Sequence, residues 1–136
     1  MDKQGGIVNG ECYWLKCEND NEEDLLWLAL AVANSTFIEV FYDHRFNNKL
    51  YAGRRRFITQ YVEQFPLPDP NREDAKAIVD LTKGIYCKLP SAEADGLMRE
   101  LDERIWRVFG LTAPRMRLTA LRHISLHRFN SSISPR

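Results

Sequence analysis

The chain has 136 residues, of which 44% are hydrophobic, 28% charged and 11% aromatic. That suffices for one domain with a real core and is too short for two ordinary ones. Nineteen basic residues balance nineteen acidic ones, for a formal net charge of zero. The longest apolar run, Leu25 to Ala33, falls far short of the roughly twenty residues a membrane span needs. Met1-Asp2-Lys3-Gln4-Gly5-Gly6 lacks the basic-then-apolar pattern of a secretory signal, so a cytoplasmic location without membrane partners is expected. Cys12, Cys17 and Cys87 form no CxxC pair, and an odd number argues against a disulfide framework, so reduced structural thiols are expected.

In chain order, Cys12-Tyr13-Trp14-Leu15-Lys16-Cys17 reads as an aromatic-rich strand. Asn21-Glu22-Glu23-Asp24 is a capping-box-like start with acids in the first turn. From it the spacing of Leu26, Leu30, Ala33, Phe37 and Phe41 predicts one long helix to about Tyr42. Leu25, Trp27, Leu28 and Val32 widen its apolar face, so the helix is expected to be buried on most sides. Asp43 to Gly53 contains the turn signal Asn47-Asn48 and suggests a strand pair or extended loop. Arg54-Arg55-Arg56-Phe57-Ile58 suggests a further extended piece.

Thr59 is placed to cap a short helix through Gln64, stopped by Pro66. Pro66-Leu67-Pro68-Asp69-Pro70 reads as an extended crossing. Asn71 with Asp74 starts a helix whose inner face is Ala75, Ile78, Val79, Thr82, Ile85 and Tyr86, and Pro90 ends it. Ser91 caps the next helix, with Ala94, Leu97, Met98, Leu101, Ile105, Val108 and Phe109 inside and Gly110 as C-terminal cap. In the tail, Leu118, Leu121, Ile124 or Ser125, and Phe129 fit one helical face before a frayed end. The fold class expected is α+β: a single compact domain with a few short strands on a buried helix, closed by a helical hairpin.

The zero net charge conceals a strongly unmixed distribution. Residues 1–43 hold nine acids against two bases, and 44–56 hold five bases and no acid. Residues 57–110 hold ten acids against seven bases, and 111–136 hold five bases and no acid. In the first basic block, His44, Arg45, Lys49, Arg54, Arg55 and Arg56 are interleaved with Phe46, Asn47, Asn48, Tyr51 and Phe57. Arginine forks match phosphate oxygens and guanine edges, asparagine matches adenine, and aromatic faces stack on bases. An acid-free stripe between acidic segments suits a polyanion. An arginine run paired with the acids of the neighbouring helix is the other reading of the same residues.

Other constellations are weaker. His123 and His127 would share a helical face, but no acid follows Leu111 and arginines surround them, so they read as surface histidines. Pro68-Asp69 and Asp74-Ala75-Lys76 spell the letters of a metal-dependent nuclease. Their spacing places them at a helix start and not on adjoining strands, so no metal is expected there. No phosphate-binding loop, nucleophile elbow or complete catalytic constellation occurs.

The order of three segments carries a resemblance. They are Leu28-Ala29-Leu30-Ala31-Val32-Ala33-Asn34-Ser35 with Phe37 and Phe41-Tyr42, then Arg56 to Pro68 with its short helix and Pro-x-Pro crossing. The third is Leu101 to Thr112, ending Phe109-Gly110-Leu111-Thr112. Over about residues 12–112 the chain resembles the TaqI-like C-terminal specificity (target-recognition) domain of adenine-N6 DNA methyltransferases and type IIG restriction–modification enzymes. It departs from that pattern after Thr112, where a basic tail replaces the usual acidic continuation. It also lacks the Asn-Pro-Pro-Tyr-type and S-adenosylmethionine motifs of the catalytic half.

The resemblance implies a bacterial DNA target-recognition domain over 1–112, with 113–136 as a basic tail. The partners implied are double-stranded DNA and a methyltransferase catalytic domain, in the same parent chain or a separate subunit. Neither cofactor nor catalytic residue is expected in this chain, since S-adenosylmethionine belongs to that catalytic domain. It further implies Arg54, Arg55 and Arg56 as phosphate or guanine contacts, Arg45 and Lys49 as backbone-positioning residues, and Asn47, Asn48 and Tyr51 as weaker base readers. Asn34 and Ser35 are expected to stabilise their helix. The alternative is a protein–protein module that docks a catalytic or translocating subunit through acidic residues 18–24 and the outer sides of the last two helices.

Overall fold

Asn34 and Ser35 divide what the apolar spacing predicts as one helix. In the computed structural model, which describes Leu15, residues 22–47 and residues 55–114, α1 spans Glu23–Ala33 and α2 spans Thr36–Arg45, bent by 72° between them. The break is made by side chains that compete for backbone groups. Asn34 Nδ2 donates to the Leu30 carbonyl at 2.8 Å, beside the Asn34 N–H on the same carbonyl at 3.2 Å. Ser35 adopts an extended backbone, donates its hydroxyl to the Val32 carbonyl at 2.6 Å and accepts the Ile38 N–H at 3.3 Å as N-cap of α2. The expectation that this pair stabilises its helix is met at two helix ends.

The break also corrects the inner face. Periodicity carried across residues 34–35 selects Leu26, Leu30 and Ala33, whereas α1 buries Trp27, Leu28, Ala31 and Val32 and Ala33 is exposed. A new helix axis resets the angular register, so a spacing that continues through the bend marks no common face.

Three further helices complete the described part: α3 (Thr59–Val62), α4 (Glu73–Lys88) and α5 (Ala92–Val108). All described residues except Leu15 belong to one unit, Cys17–Arg115. Within it α4 packs against α1 and α5, and α2 lies on α5. The α4–α5 link is Leu89-Pro90-Ser91, short enough to make the pair an antiparallel hairpin. Ser91 caps α5 by accepting the Ala94 N–H at 3.2 Å, as its sequence position predicts. The core is Leu28, Val32, Ile38, Tyr42, Ile78 and Ile105, all essentially inaccessible; each buried aliphatic contributes about 1.5–3 kcal/mol.

The expected α+β class is overturned: the structure is helical, with no strand among the described residues. The strand expected at 12–17 lies outside them apart from Leu15, and so do residues 48–54 of the expected strand pair. The remainder of that pair begins inside a helix, because α2 continues to Arg45. Tyr42 and Phe46, four residues apart, share a helical face that a cluster of rings receives, and burial overrides strand propensity. Apolar faces of α1, α2, α4 and α5 cover one another, so the core requires no sheet.

Smaller differences concern helix starts. Arg72 is the N-cap of α4 and Ile58 that of α3, neither with a side-chain cap bond. Asn71 instead donates its N–H to Asp69 at 2.9 Å. Tyr86 is 41% exposed, though its ring meets Trp27 edge-on at 5.5 Å. Trp106, absent from the expected inner face of α5, is buried. Cys87 is a free, exposed thiol and not a core one.

Gly110 closes α5 as predicted. Its N–H donates to the Arg107 carbonyl at 2.9 Å, and the Leu111 N–H to the Trp106 carbonyl at 3.0 Å, the two bonds of a Schellman ending. This requires the left-handed φ of 73° found at Gly110. An added Cβ would meet nothing within 4 Å, so Gly110→Ala carries only the conformational cost. The expected loss is about 1–2 kcal/mol, read from urea unfolding as a lower midpoint with unchanged slope.

Candidate nucleic-acid interface

The basic block begins on the last turn of α2, where His44 and Arg45 favourably meet the helix C-terminal dipole. Arg45 is exposed, and its guanidinium lies over the Phe46 ring at 5.5 Å from the centroid. Phe46 stacks on Tyr61 with centroids 4.3 Å apart and planes 9° from parallel. Asn47 follows with φ 46°, a left-handed turn that asparagine tolerates better than most residues. The chain therefore leaves α2 through a stacked cation–ring–ring column into a sharp turn.

It re-enters the described structure at Arg55, beside the same helix. Arg55 donates from Nε and Nη2 to the two Asp43 carboxylate oxygens at 2.8 and 2.9 Å, and its Nη1 lies 3.3 Å from Glu39. Glu39 and Asp43 stand four residues apart on α2 and so share a face. The Asp43 hydrogen bonds are the main cause holding the Arg55 guanidinium above its ordinary pKa; partial burial opposes them and the Glu39 charge assists. The side chains of Arg55, Asp43 and Glu39 are each about 30% exposed, which places this cluster between an open surface bridge and a buried one.

One residue on, the Tyr42 hydroxyl donates to the Arg56 carbonyl. The Tyr42 ring is fully buried and packs on Phe57 at 4.6 Å and Phe46 at 5.3 Å. Phe65, delivered by the turn after α3, closes the cluster at 6.2 Å from Tyr42. In the stem of the basic segment, the near root is the end of α2 itself, packed through Phe46. Arg55 and Arg56 at the far root are bound to α2 both by the forked ion pair and by the Tyr42 contacts.

Of the sequence-predicted site residues, Arg45, Asn47, Arg55 and Arg56 are brought to this stem, and Arg45, Asn47 and Arg56 are exposed. Asn48, Lys49, Tyr51 and Arg54 lie outside the described residues, as do His123 and His127. Asp69 and Asp74 serve turn and helix-start roles: Asp69 accepts from Asn71, and Asp74 pairs with Arg72 at 2.7 Å. Among the described residues no group of three His, Cys, Asp or Glu side chains is placed to hold a metal, and no single helix is long and apolar enough to cross a membrane.

Sequence reasoning missed one polar cluster that orients the helix bearing this stem. Asp102 on α5 accepts both the Thr36 N–H and its hydroxyl at 2.6 Å, and Trp106 Nε1 donates to the same hydroxyl at 2.9 Å. The first helical residue of α2 is thereby tied to α5 across 66 positions of sequence. The only local signal is that Asp102 and Trp106 are spaced i, i+4 on one face.

No family model matches the chain. It is 37% identical over 90 residues to the Type II methyltransferase M.BanIII of Aneurinibacillus aneurinilyticus, a match covering 66% of this chain and 16% of that protein. The chain thus spans about one sixth of the curated relative's length. Over those 90 residues it is a homologue of part of a Type II methyltransferase.

Proposed function

We propose that the chain is a DNA target-recognition module of an adenine-N6 methyltransferase or type IIG restriction–modification enzyme. Its residues 1–112 form the recognition domain; S-adenosylmethionine and methyl transfer belong to a separate catalytic domain. The observation that carries this reading is the anchored stem beneath an acid-free basic segment. The stem holds Arg56 beside α2, and Lys49, Arg54 and Arg56 are the residues assigned to phosphates. Arg45 is assigned to steering the duplex from the end of α2, and Asn47, Asn48 and Tyr51 are the weaker base-reading candidates. The relative's printed name, Type II methyltransferase, supports the context in which such a module works.

The test is the salt dependence of binding to duplex DNA. Each phosphate contact adds about 0.9 to the slope of log affinity against log salt. Lys49→Ala/Arg54→Ala/Arg56→Ala is therefore expected to flatten the slope by up to about 2.7 and to weaken binding at every salt concentration. Fluorescence anisotropy across a salt series checks it. Undetectable binding by the unmodified chain at low salt, with tight binding to a catalytic subunit, would overturn the reading in favour of a docking module.

A further inference from the structure

We infer that Arg55, the middle arginine of the run Arg54-Arg55-Arg56, is a positioning residue that latches the end of the basic segment to α2 and does not itself contact DNA. This rests on the DNA-recognition reading and assigns a division of labour within it. The argument is geometric. A guanidinium presents its donors in a planar fork, and a carboxylate is the group that fills two of them at once. At Arg55 the Nε and Nη2 edge is filled by Asp43, while Nη1 faces Glu39. Every nitrogen that would grip a phosphate or a guanine edge is already directed at an acid on α2. Releasing the fork to DNA would leave two like charges, Glu39 and Asp43, facing the duplex.

The position of the latch matters as much as its occupancy. Asp43 is one residue after Tyr42, and Arg55 one residue before Arg56, whose carbonyl takes the Tyr42 hydroxyl. The ion pair and the Tyr42 contacts therefore join the same two points of chain, one from the polar side of α2 and one from its core side. Together they fix Arg55 and Arg56 against α2. Removing the ion pair leaves the aromatic side intact, so the protein stays folded while the root of the segment gains freedom. The ordering entropy is then lost on binding and not on folding.

The experiment compares the 136-residue chain with Arg55→Ala, Arg55→Lys and the exchange Asp43→Arg/Arg55→Asp, using a mixed-sequence DNA duplex as probe. Binding is measured across a salt series, and amide hydrogen exchange of residues 43–58 is measured without DNA. Arg55→Ala is expected to weaken binding about tenfold with the salt slope unchanged, and to speed exchange in that segment. Arg55→Lys, which keeps the charge and loses the fork, is expected to speed exchange in the same residues. The exchange of charges is expected to restore protection, which no loss of a direct contact can explain. A slope reduced by about 0.9 with unaltered exchange makes Arg55 a phosphate contact and overturns the inference. If the unmodified chain fails to bind the duplex at low salt, the recognition reading falls by itself. Unchanged exchange in Arg55→Ala overturns the latch whatever the DNA result.

Discussion

Tyr42→Ala is expected to be among the most destabilising single changes in the chain, at about 3–5 kcal/mol. The side chain is wholly inaccessible and its ring touches Phe46, Phe57, Tyr61 and Phe65 within 6.2 Å. Truncation opens a cavity whose walls are large rings, which cannot collapse inward by rotating a methyl group. Tyr42→Phe separates the two roles of the residue: it keeps the packing and removes the donor to the Arg56 carbonyl, at about 1 kcal/mol. Urea unfolding monitored by tryptophan fluorescence measures both. A cost below about 1 kcal/mol for the alanine variant would show that the cluster is not packed as described.

Asp102→Ala has the second large effect expected, about 2–4 kcal/mol. One carboxylate accepts two bonds from Thr36, and Thr36 in turn accepts from Trp106. Thr36 and Trp106 are both buried, at 4% and 6% exposure, so deleting the acceptor strands donors away from water. It also removes a negative group from the N-terminal turn of α2, where the helix dipole favours one. Asp102→Asn keeps one acceptor oxygen and is expected to lose less. The decisive measurement is a double-mutant cycle with Thr36→Val. Coupling of about 0.5–3 kcal/mol is expected if the two residues act as one unit, and additive losses would refute it.

Both changes bear on function through α2. Tyr42 holds the root of the basic segment on one side of that helix, and Asp102 orients the helix itself against α5. A fully folded Tyr42→Phe variant is therefore the more informative one for DNA binding, since it loosens the stem without dissolving the core.

Much of the chain was legible without the structure. Ser91 and Gly110 announce the ends of α5, and Pro66-Leu67-Pro68 an extended crossing, because caps, left-handed turns and proline act on their immediate neighbours. The inner face of α4 is read from spacing alone, since one straight helix keeps one register. The resemblance pointed to methyltransferase-related proteins, and a homologous stretch of a Type II methyltransferase supports that much.

Distant partners were harder to read: of the two readings of the arginine run, pairing with acids of the neighbouring helix is met at Arg55, and spacing did not single that residue out. The helix predicted through Asn34 and Ser35 breaks where the Thr36 N–H, which would continue it by donating to Val32, donates instead to Asp102 on α5. Asp43 to Arg45 read as a strand or loop until the rings of Phe57, Tyr61 and Phe65 come within reach of Tyr42 and Phe46. Arg55 looked like its neighbours Arg54 and Arg56 in a run of identical letters. Composition and local spacing determined the helical hairpin, its caps and the separation of charge. The division of α1 from α2, the Thr36–Asp102–Trp106 tie and the pairing of Arg55 with Glu39 and Asp43 were decided only in three dimensions. The physical reason is common to them: a hydrogen-bonding group or a charge takes whichever partner the packing brings near, and sequence distance says nothing about which that is.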